Sequence, residues 1–326
     1  MNVHFLTDLQ DLNIPILQSM LNKHVNLTAG LTISHQSDFD VLIAGRPTAE
    51  QLAASQELHT LVIPFAGLPE QTRLLCLQNP GIRVYNLHHN ALITAELALA
   101  LLFSAAKFVV KHDQQLRSND WTLRYKKPPS SILLSGKKVV VVGYGYIGRH
   151  LAAMCTALGM RVIVIRRSTP VNREQLPGIK FADRKNLVHW LKNADVLMIA
   201  CPLTDETRGM IAEAELYSMP PGGILVNVGR GAVVDQQSLY RALIDGHLAA
   251  AGLDVWYNYP DSEAERSHTF PADYPFHELD QVVMSPHRGG LTRETEMLRM
   301  THLADLLNRL AAGGDLPPAV DVAAGY

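Results

Sequence analysis

The chain has 326 residues, and its 29 Lys and Arg against 31 Asp and Glu leave a formal charge of -2, so no broad basic field exists to attract a phosphate backbone and nucleic acid is not an expected partner. An apolar fraction of 47% with 18% charged residues excludes disorder as the general description. The length favours two domains, since a single core seldom extends beyond about 250 residues. Three widely spaced cysteines, Cys76, Cys155 and Cys201, form neither a disulfide framework nor a zinc-ligand spacing, and a reducing cytoplasmic setting is expected.

The N-terminal stretch MNVHFLTDLQ has no basic segment followed by an apolar one, so neither export nor membrane insertion is expected. Short apolar runs that read as buried strands follow at residues 3–6, 41–44 and 61–64. The last of these runs into PFAGLPEQT (64–72), where small residues let an anion approach the backbone. His88 and His89, in NLHHNA, have no acidic residue or cysteine at ligand spacing; a solvated loop is expected there, and no metal. Residues 95–117 repeat apolar side chains at i, i+3 and i+4 and predict one long helix, whose most apolar segment, 97–110, is broken by Ser104 and Lys107 and is too short to span a bilayer. A loop with Pro128 and Pro129 comes next. Further apolar strands are predicted at 138–143, 161–165, 195–200 and 223–228, and a second periodic helix at 291–311, ended by Gly313 and Gly314. Near-continuous apolar strands alternating with helices indicate parallel sheets covered on both faces, an α/β protein.

Gly143, Gly145 and Gly148 stand as G-x-G-x-x-G after a strand and at the opening of a helix. The first permits a tight turn, the second leaves room for a pyrophosphate, and the third lets helix and strand pack closely. Tyr146 and Ile147 complete the loop, and the free N–H groups of the helix start would hold the anion. At the end of the next strand, where an acidic residue usually binds the ribose hydroxyls of NAD, the chain has Arg166, Arg167 and Ser168. A guanidinium there can pair with the extra phosphate of NADP, so NADP is the expected cofactor; NAD stays open, because two arginines at a strand end also suit plain solvation.

TAELALALL (94–102), GYGYIG, ADVLMIACPLTDETRGMI (194–211), GGILVNVGRGAVVD (222–235), HLAAAGLDVW (247–256) and SPHRGG (285–290) together resemble the D-isomer-specific 2-hydroxyacid dehydrogenase family over nearly the whole chain. The resemblance implies a homodimer that moves a hydride between a nicotinamide and C2 of a small 2-keto or 2-hydroxy acid, of glyoxylate or hydroxypyruvate type. It also implies a flavodoxin-like substrate domain from residues 1–98 and 289–326, with a Rossmann-type, doubly wound cofactor domain, 99–288, inserted between them. Arg230 matches the family's substrate-binding arginine and His287 its catalytic histidine. Phe65, Ala66 and Gly67 match the loop that faces the substrate carboxylate. Cys201, Pro202, Thr204 and Val228 would lie along the cofactor, and Asp254 would bind the nicotinamide amide. The chemistry suits these residue types: a forked cation can hold the carboxylate and polarise the C2 oxygen, and an imidazole can deliver a proton near neutrality.

The chain departs from the family at Tyr259, where the glutamate that pairs with the histidine is expected. The phenol is expected to orient His287, leaving a weaker acid whose reductive activity fades at lower pH than with glutamate, because an anionic partner stabilises the imidazolium. The alternative is a pocket wall, one of the aromatic residues Trp256, Tyr257 and Tyr259. The missing carboxylate also leaves open a dinucleotide-sensing protein of corepressor type, and a formate dehydrogenase-like enzyme.

Overall fold

Strand pairing in the described residues is parallel throughout and falls into two separate sheets. The computed structural model describes residues 1–34, 37–125, 131–167 and 176–325, and it divides into two units, Met1–Asn90 with Leu291–Tyr326, and Ala91–Gly290.

The first unit holds β1 (Asn2–Phe5), β2 (Asn26–Ala29), β3 (Val41–Ile43), β4 (Thr60–Ile63) and β5 (Arg83–Asn86) in the order β2-β1-β3-β4-β5, the flavodoxin-like arrangement. Both faces of this sheet are covered. Val3, Phe5, Val41, Ile43 and Val62 meet Met300, Leu303 and Leu307 on one side; Leu42, Leu61, Ile63 and Val84 meet Leu52 and Cys76 on the other. The helix Thr295–Ala312 therefore returns the end of the chain to this unit by its buried stripe, and it stops where Gly313 turns left-handed at φ +63°.

The second unit holds β6 (Lys138–Val142), β7 (Arg161–Arg166), β8 (Ile179–Asp183), β9 (Val196–Ile199), β10 (Gly223–Asn227), β11 (Leu248–Leu253) and β12 (Val282–Met284), in the order β12-β11-β10-β9-β6-β7-β8. The direction of winding reverses between β6 and β9, and in open parallel sheets ligands bind at the carboxyl ends of the strands at such a switch. The helix Ala91–Lys107 lies on this sheet, burying Ala95, Ala98, Leu101, Leu102 and Ala105 against Val139, Val141, Ile224 and Ala250. Leu101 and Leu102 together supply about 3–6 kcal/mol of apolar burial.

That packing moves two expected features. The switch between domains, expected at 98/99 and 288/289, falls at Asn90/Ala91 and Gly290/Leu291, so the whole core helix belongs to the cofactor unit. The single helix expected over 95–117 is two, Ala91–Lys107 and Val109–Arg117, bent by 65°. Phe108 makes the break in the left-handed region at φ 52°, with its side chain buried and Lys107 Nζ donating to Ile132 O at 2.6 Å. No single helix among the described residues is long and apolar enough to cross a membrane.

Candidate active site and cofactor cradle

The glycine loop leaves β6 at the switch point. Gly143 has φ +101°, and a Cβ there would come within 2.9 Å of the backbone of Ala200 and Cys201, at the end of β9; a Cβ on Gly148 would come within 2.1 Å of Gly143 O. These two glycines are packing requirements. Gly145 is different: nothing lies within 4 Å of where its Cβ would be, and it opens the helix Tyr146–Ala157 without a side-chain cap or an acidic residue in the first turn. An open backbone approach in front of uncapped N–H groups fits a pyrophosphate. Tyr146 is exposed beside this approach, whereas Ile147 packs inward against the sheet cluster.

Arg166 ends β7. Its guanidinium carbon lies 5.2 Å from the ring centre of Tyr144, in the glycine loop, and 5.4 Å from that of Phe181, in β8. Arg149 approaches the same Tyr144 ring at 5.5 Å. Arg166 Nη1 is buried with no hydrogen-bond partner among the described residues, an unmet donor of the kind that a phosphate oxygen satisfies. Arg167 is exposed next to it, and Ser168 lies outside the described residues. Tyr144, Arg149 and Phe181 escaped the sequence reading. The aromatic residue between the first two glycines was the available signal for one of them.

Cys201 is buried behind the loop, and burial pushes its thiol up to about 11. The turn after it is tied by Thr207, whose hydroxyl donates to Pro202 O at 2.7 Å and accepts from Thr204 N–H at 2.8 Å. Val228 is buried beneath the next turn. There Asn227, at the end of β10 and also buried, accepts from Gly229 N–H at 3.0 Å and donates to Arg230 O at 3.0 Å. The side chain of Arg230 is exposed, with Nη1 donating to Gly229 O at 2.7 Å. A Cβ at residue 231 would come within 2.2 Å of Trp256 O, so Gly231 lets the 254–259 segment lie against the arginine turn.

His287 adopts φ +57°, a left-handed conformation uncommon outside glycine, and Asp254 holds the loop there. The Asp254 carboxylate, 1% exposed after β11, accepts from Ser285 Oγ at 2.5 Å, Arg288 N–H at 2.8 Å and Gly289 N–H at 2.9 Å. Trp256 Nε1 donates to Ser285 O at 2.8 Å, and Ser285 N–H to Leu253 O at 2.8 Å. Asp254, assigned by resemblance to the nicotinamide amide, thus has both oxygens engaged by the histidine loop. Ser285, another residue to which the sequence reading gave no role, precedes the Pro-His pair.

Tyr259 Oη and His287 Nδ1 lie 2.9 Å apart and share a hydrogen bond. Trp256 N–H donates to the same Oη at 3.1 Å. The phenol therefore joins the backbone of Trp256 to the imidazole of His287. His287 keeps an exposed edge, yet the part of its ring that is enclosed lowers its pKa; the Arg230 cation lowers it further, and Asp254 opposes both. Partial burial raises the Tyr259 pKa, with Arg230 and the bond from Trp256 acting against the rise. Arg230 and Asp254 thus both lie within electrostatic reach of Tyr259 and His287 in the second unit.

Phe65, Ala66 and Gly67 lie in the first unit, after β4, half-buried, with Gly67 at φ +88°. The Phe65 ring fills the space beside Gly45 and carries Arg46 over its face at 5.9 Å. His88 and His89 are not the solvated pair expected. His89 is 7% exposed and His88 is half-buried, and burial with the nearby cations lowers each to about 4. No three His, Cys, Asp or Glu among the described residues converge as metal ligands.

The family model described as D-isomer specific 2-hydroxyacid dehydrogenase, NAD binding domain, matches residues 99–289. Over 229 residues the chain is 38% identical to a glyoxylate reductase of Aeropyrum pernix, covering 69% of this chain and 64% of that protein. Over 278 residues it is 34% identical to a D-3-phosphoglycerate dehydrogenase of Mycobacterium leprae, covering 85% of this chain and 49% of that protein. These matches therefore reach less than two thirds of each relative's own length. In fold the chain is similar to a D-isomer specific 2-hydroxyacid dehydrogenase of Xanthobacter autotrophicus in complex with NADPH and MES, with a TM-score of 0.78 at 21% identity over 100% of this chain and 99% of that one. It is equally similar, at TM-score 0.78 and 19% identity over 100% and 99% of the two chains, to an NADPH-dependent glyoxylate/hydroxypyruvate reductase of Sinorhizobium meliloti.

Proposed function

This chain belongs to the D-isomer specific 2-hydroxyacid dehydrogenase family, and we propose that it reduces a small 2-keto acid to the 2-hydroxy acid with NADPH. The observation that carries the reading is the grouping of Arg230, His287 and Tyr259 in the unit that also holds the glycine cradle. The glyoxylate reductases among its relatives support glyoxylate or hydroxypyruvate as the substrate class. When bound, the nicotinamide supplies the hydride. Arg230 holds the substrate carboxylate and polarises the C2 oxygen; His287 delivers the proton that this oxygen needs as charge builds on it. Tyr259 takes the place of the glutamate as the group that orients the imidazole. Phe65, Ala66 and Gly67 are the proposed carboxylate-facing loop of the first unit.

NADP preference rests on Arg166, pre-stacked on Tyr144 and Phe181 with an unmet donor, and on Arg167 beside it. Arg166→Ala is expected to erode the NADPH over NADH preference in kcat/KM by about tenfold or more, the size of a lost charge-assisted contact. The test of the whole reading is loss of nicotinamide absorbance with glyoxylate, hydroxypyruvate and longer 2-keto acids, each with NADH and NADPH. Tight NADPH binding without turnover of any acid would favour the sensing alternative, for which Tyr259 is the motivating residue.

A homodimer is part of the proposal. Val109, Val110, Leu116, Trp121 and Tyr125 are exposed along and just after the second of the bent helices, an apolar surface suited to a second copy. Light scattering would read its mass directly. The proposed cytoplasmic setting is supported by three buried thiols, none of them in a disulfide.

A further inference from the structure

The contact between Tyr259 and His287 has a direction that a carboxylate in its place could not have. A carboxylate only accepts, so it would require the imidazole proton on Nδ1. The Tyr259 oxygen already accepts from Trp256 N–H at 3.1 Å, and among the described residues its one remaining contact is His287 Nδ1 at 2.9 Å. The hydroxyl has a single proton, and the one protein acceptor that the described residues offer it is that ring nitrogen. Trp256 is itself fixed at both ends, since its indole N–H is bonded to Ser285 O and its backbone N–H to the phenol.

We propose that Tyr259 donates to His287 Nδ1, so that the neutral imidazole carries its proton on Nε2 and the phenol refills the ring when that proton leaves. The inference rests on the reading of His287 as the acid of the reduction. As hydride from the reduced nicotinamide adds to C2, the C2 oxygen forms its O–H bond with the Nε2 proton. Nδ1 takes the Tyr259 proton as the Oη–H bond breaks, and the ring stays neutral throughout. The phenolate left behind keeps the Trp256 N–H, and the relay resets when Nδ1 returns its proton to that oxygen as Nε2 takes one from water, to which the exposed edge of His287 is open. Tyr259 is thus a positioning residue that also supplies a proton through His287.

The charged groups facing this pair are Arg230, after β10, and Asp254, after β11. Partial burial and Arg230 outweigh Asp254 at His287, so its surroundings favour the neutral imidazole more than solvent does. Partial burial holds the phenol protonated above its ordinary range. The donor direction therefore replaces the expectation of early alkaline loss: reduction persists after the imidazolium has gone and fades when Tyr259 ionises.

Two measurements decide it. In protein labelled with 15N-histidine, free of cofactor and substrate, His287 assigned by its absence in His287→Gln should show a protonated Nε2 and an Nδ1 that accepts a hydrogen bond. Nδ1 should move to the free-acceptor position in Tyr259→Phe, and Tyr259→Glu should transfer the proton to Nδ1. A proton on Nδ1 in the wild type, or an Nδ1 resonance unmoved in Tyr259→Phe, overturns the proposal. In the pH profile of kcat, the wild type should stay flat through the His287 titration seen by NMR, while Tyr259→Phe should follow that titration. The variant is expected to lose activity at every pH because its imidazole is no longer oriented, and the ratio of wild type to variant should widen by about a further tenfold between pH 5.5 and pH 9, within the range of general-acid effects. Wild-type activity that falls in step with His287, or a variant that keeps full alkaline activity, overturns it too. If no 2-keto acid is reduced, the proposed function fails, and the relay fails with it as a catalytic step; the donor direction is still read by the resonances alone.

Discussion

The first unit packs His88 and His89 near His302 and Arg299, while the second holds His287 beside Arg230, and both surroundings disfavour the imidazolium. They differ in what answers the imidazole. His287 has the phenol on Nδ1, a carboxylate within electrostatic reach and an exposed edge. His89 Nδ1 is buried with no partner among the described residues, and the charges facing it are all potential cations, Arg299, His302 and His88. The comparison teaches that a depressed imidazole marks burial and nearby cations; partnered geometry is what distinguishes a working group from a packed one.

Three measurements would break or sharpen this contrast. The largest effect is expected at His287: changing it to Gln should lower kcat for reduction about 100- to 10,000-fold with circular dichroism and Tm unchanged. A comparable fall for His89→Gln would erase the distinction. Next comes Asp254→Asn, which keeps the shape but sets an amide against the Gly289 N–H; kcat should fall by about tenfold to 100-fold through loosening of the His287 loop, the equivalent of about 1.4–2.7 kcal/mol. The dissociation constant of NADPH, read by fluorescence, should stay within about threefold if the loop is what Asp254 holds. A large loss of NADPH affinity would instead return this residue to the cofactor amide.

The smallest effect belongs to acid. His88 and His89 are near 4 when folded and return to about 6.5 when unfolded, so the unfolded chain binds more protons between those values. Their contribution is fully present above about pH 6.5 and is lost as pH falls toward 4. Urea unfolding should show a drop on the order of 2 kcal/mol between pH 7.5 and pH 5, reduced in a His88→Asn, His89→Asn double variant. An unaltered pH dependence in that variant would move the acid sensitivity elsewhere.

The parts of the fold legible in the sequence were those that bury continuous apolar strands, β6, β7, β9 and β10 above all, together with the glycine loop. The strand-end β2, with the half-exposed run NLTA, and β8, with IKFAD, lie at sheet edges and have no such run to read. The break at Phe108 was invisible for another reason: an apolar side chain in the left-handed region carries no glycine or proline signal. Arg230, His287 and Tyr259 could be picked out because short motifs hold them. The Asp254 network could not, since it joins residues about 30 positions apart through the pairing of β11 with β12. The stack on Arg166 likewise needs β6, β7 and β8 side by side.

The carboxylate beneath the histidine loop has one more consequence. The backbone amides of Arg288 and Gly289 belong to a segment without regular structure, in which Arg288 faces solvent, and such amides ordinarily trade hydrogen for deuterium quickly. Both end on Asp254, so they should exchange as slowly as amides in the neighbouring strand, and their signals would give a built-in gauge of whether the loop is seated.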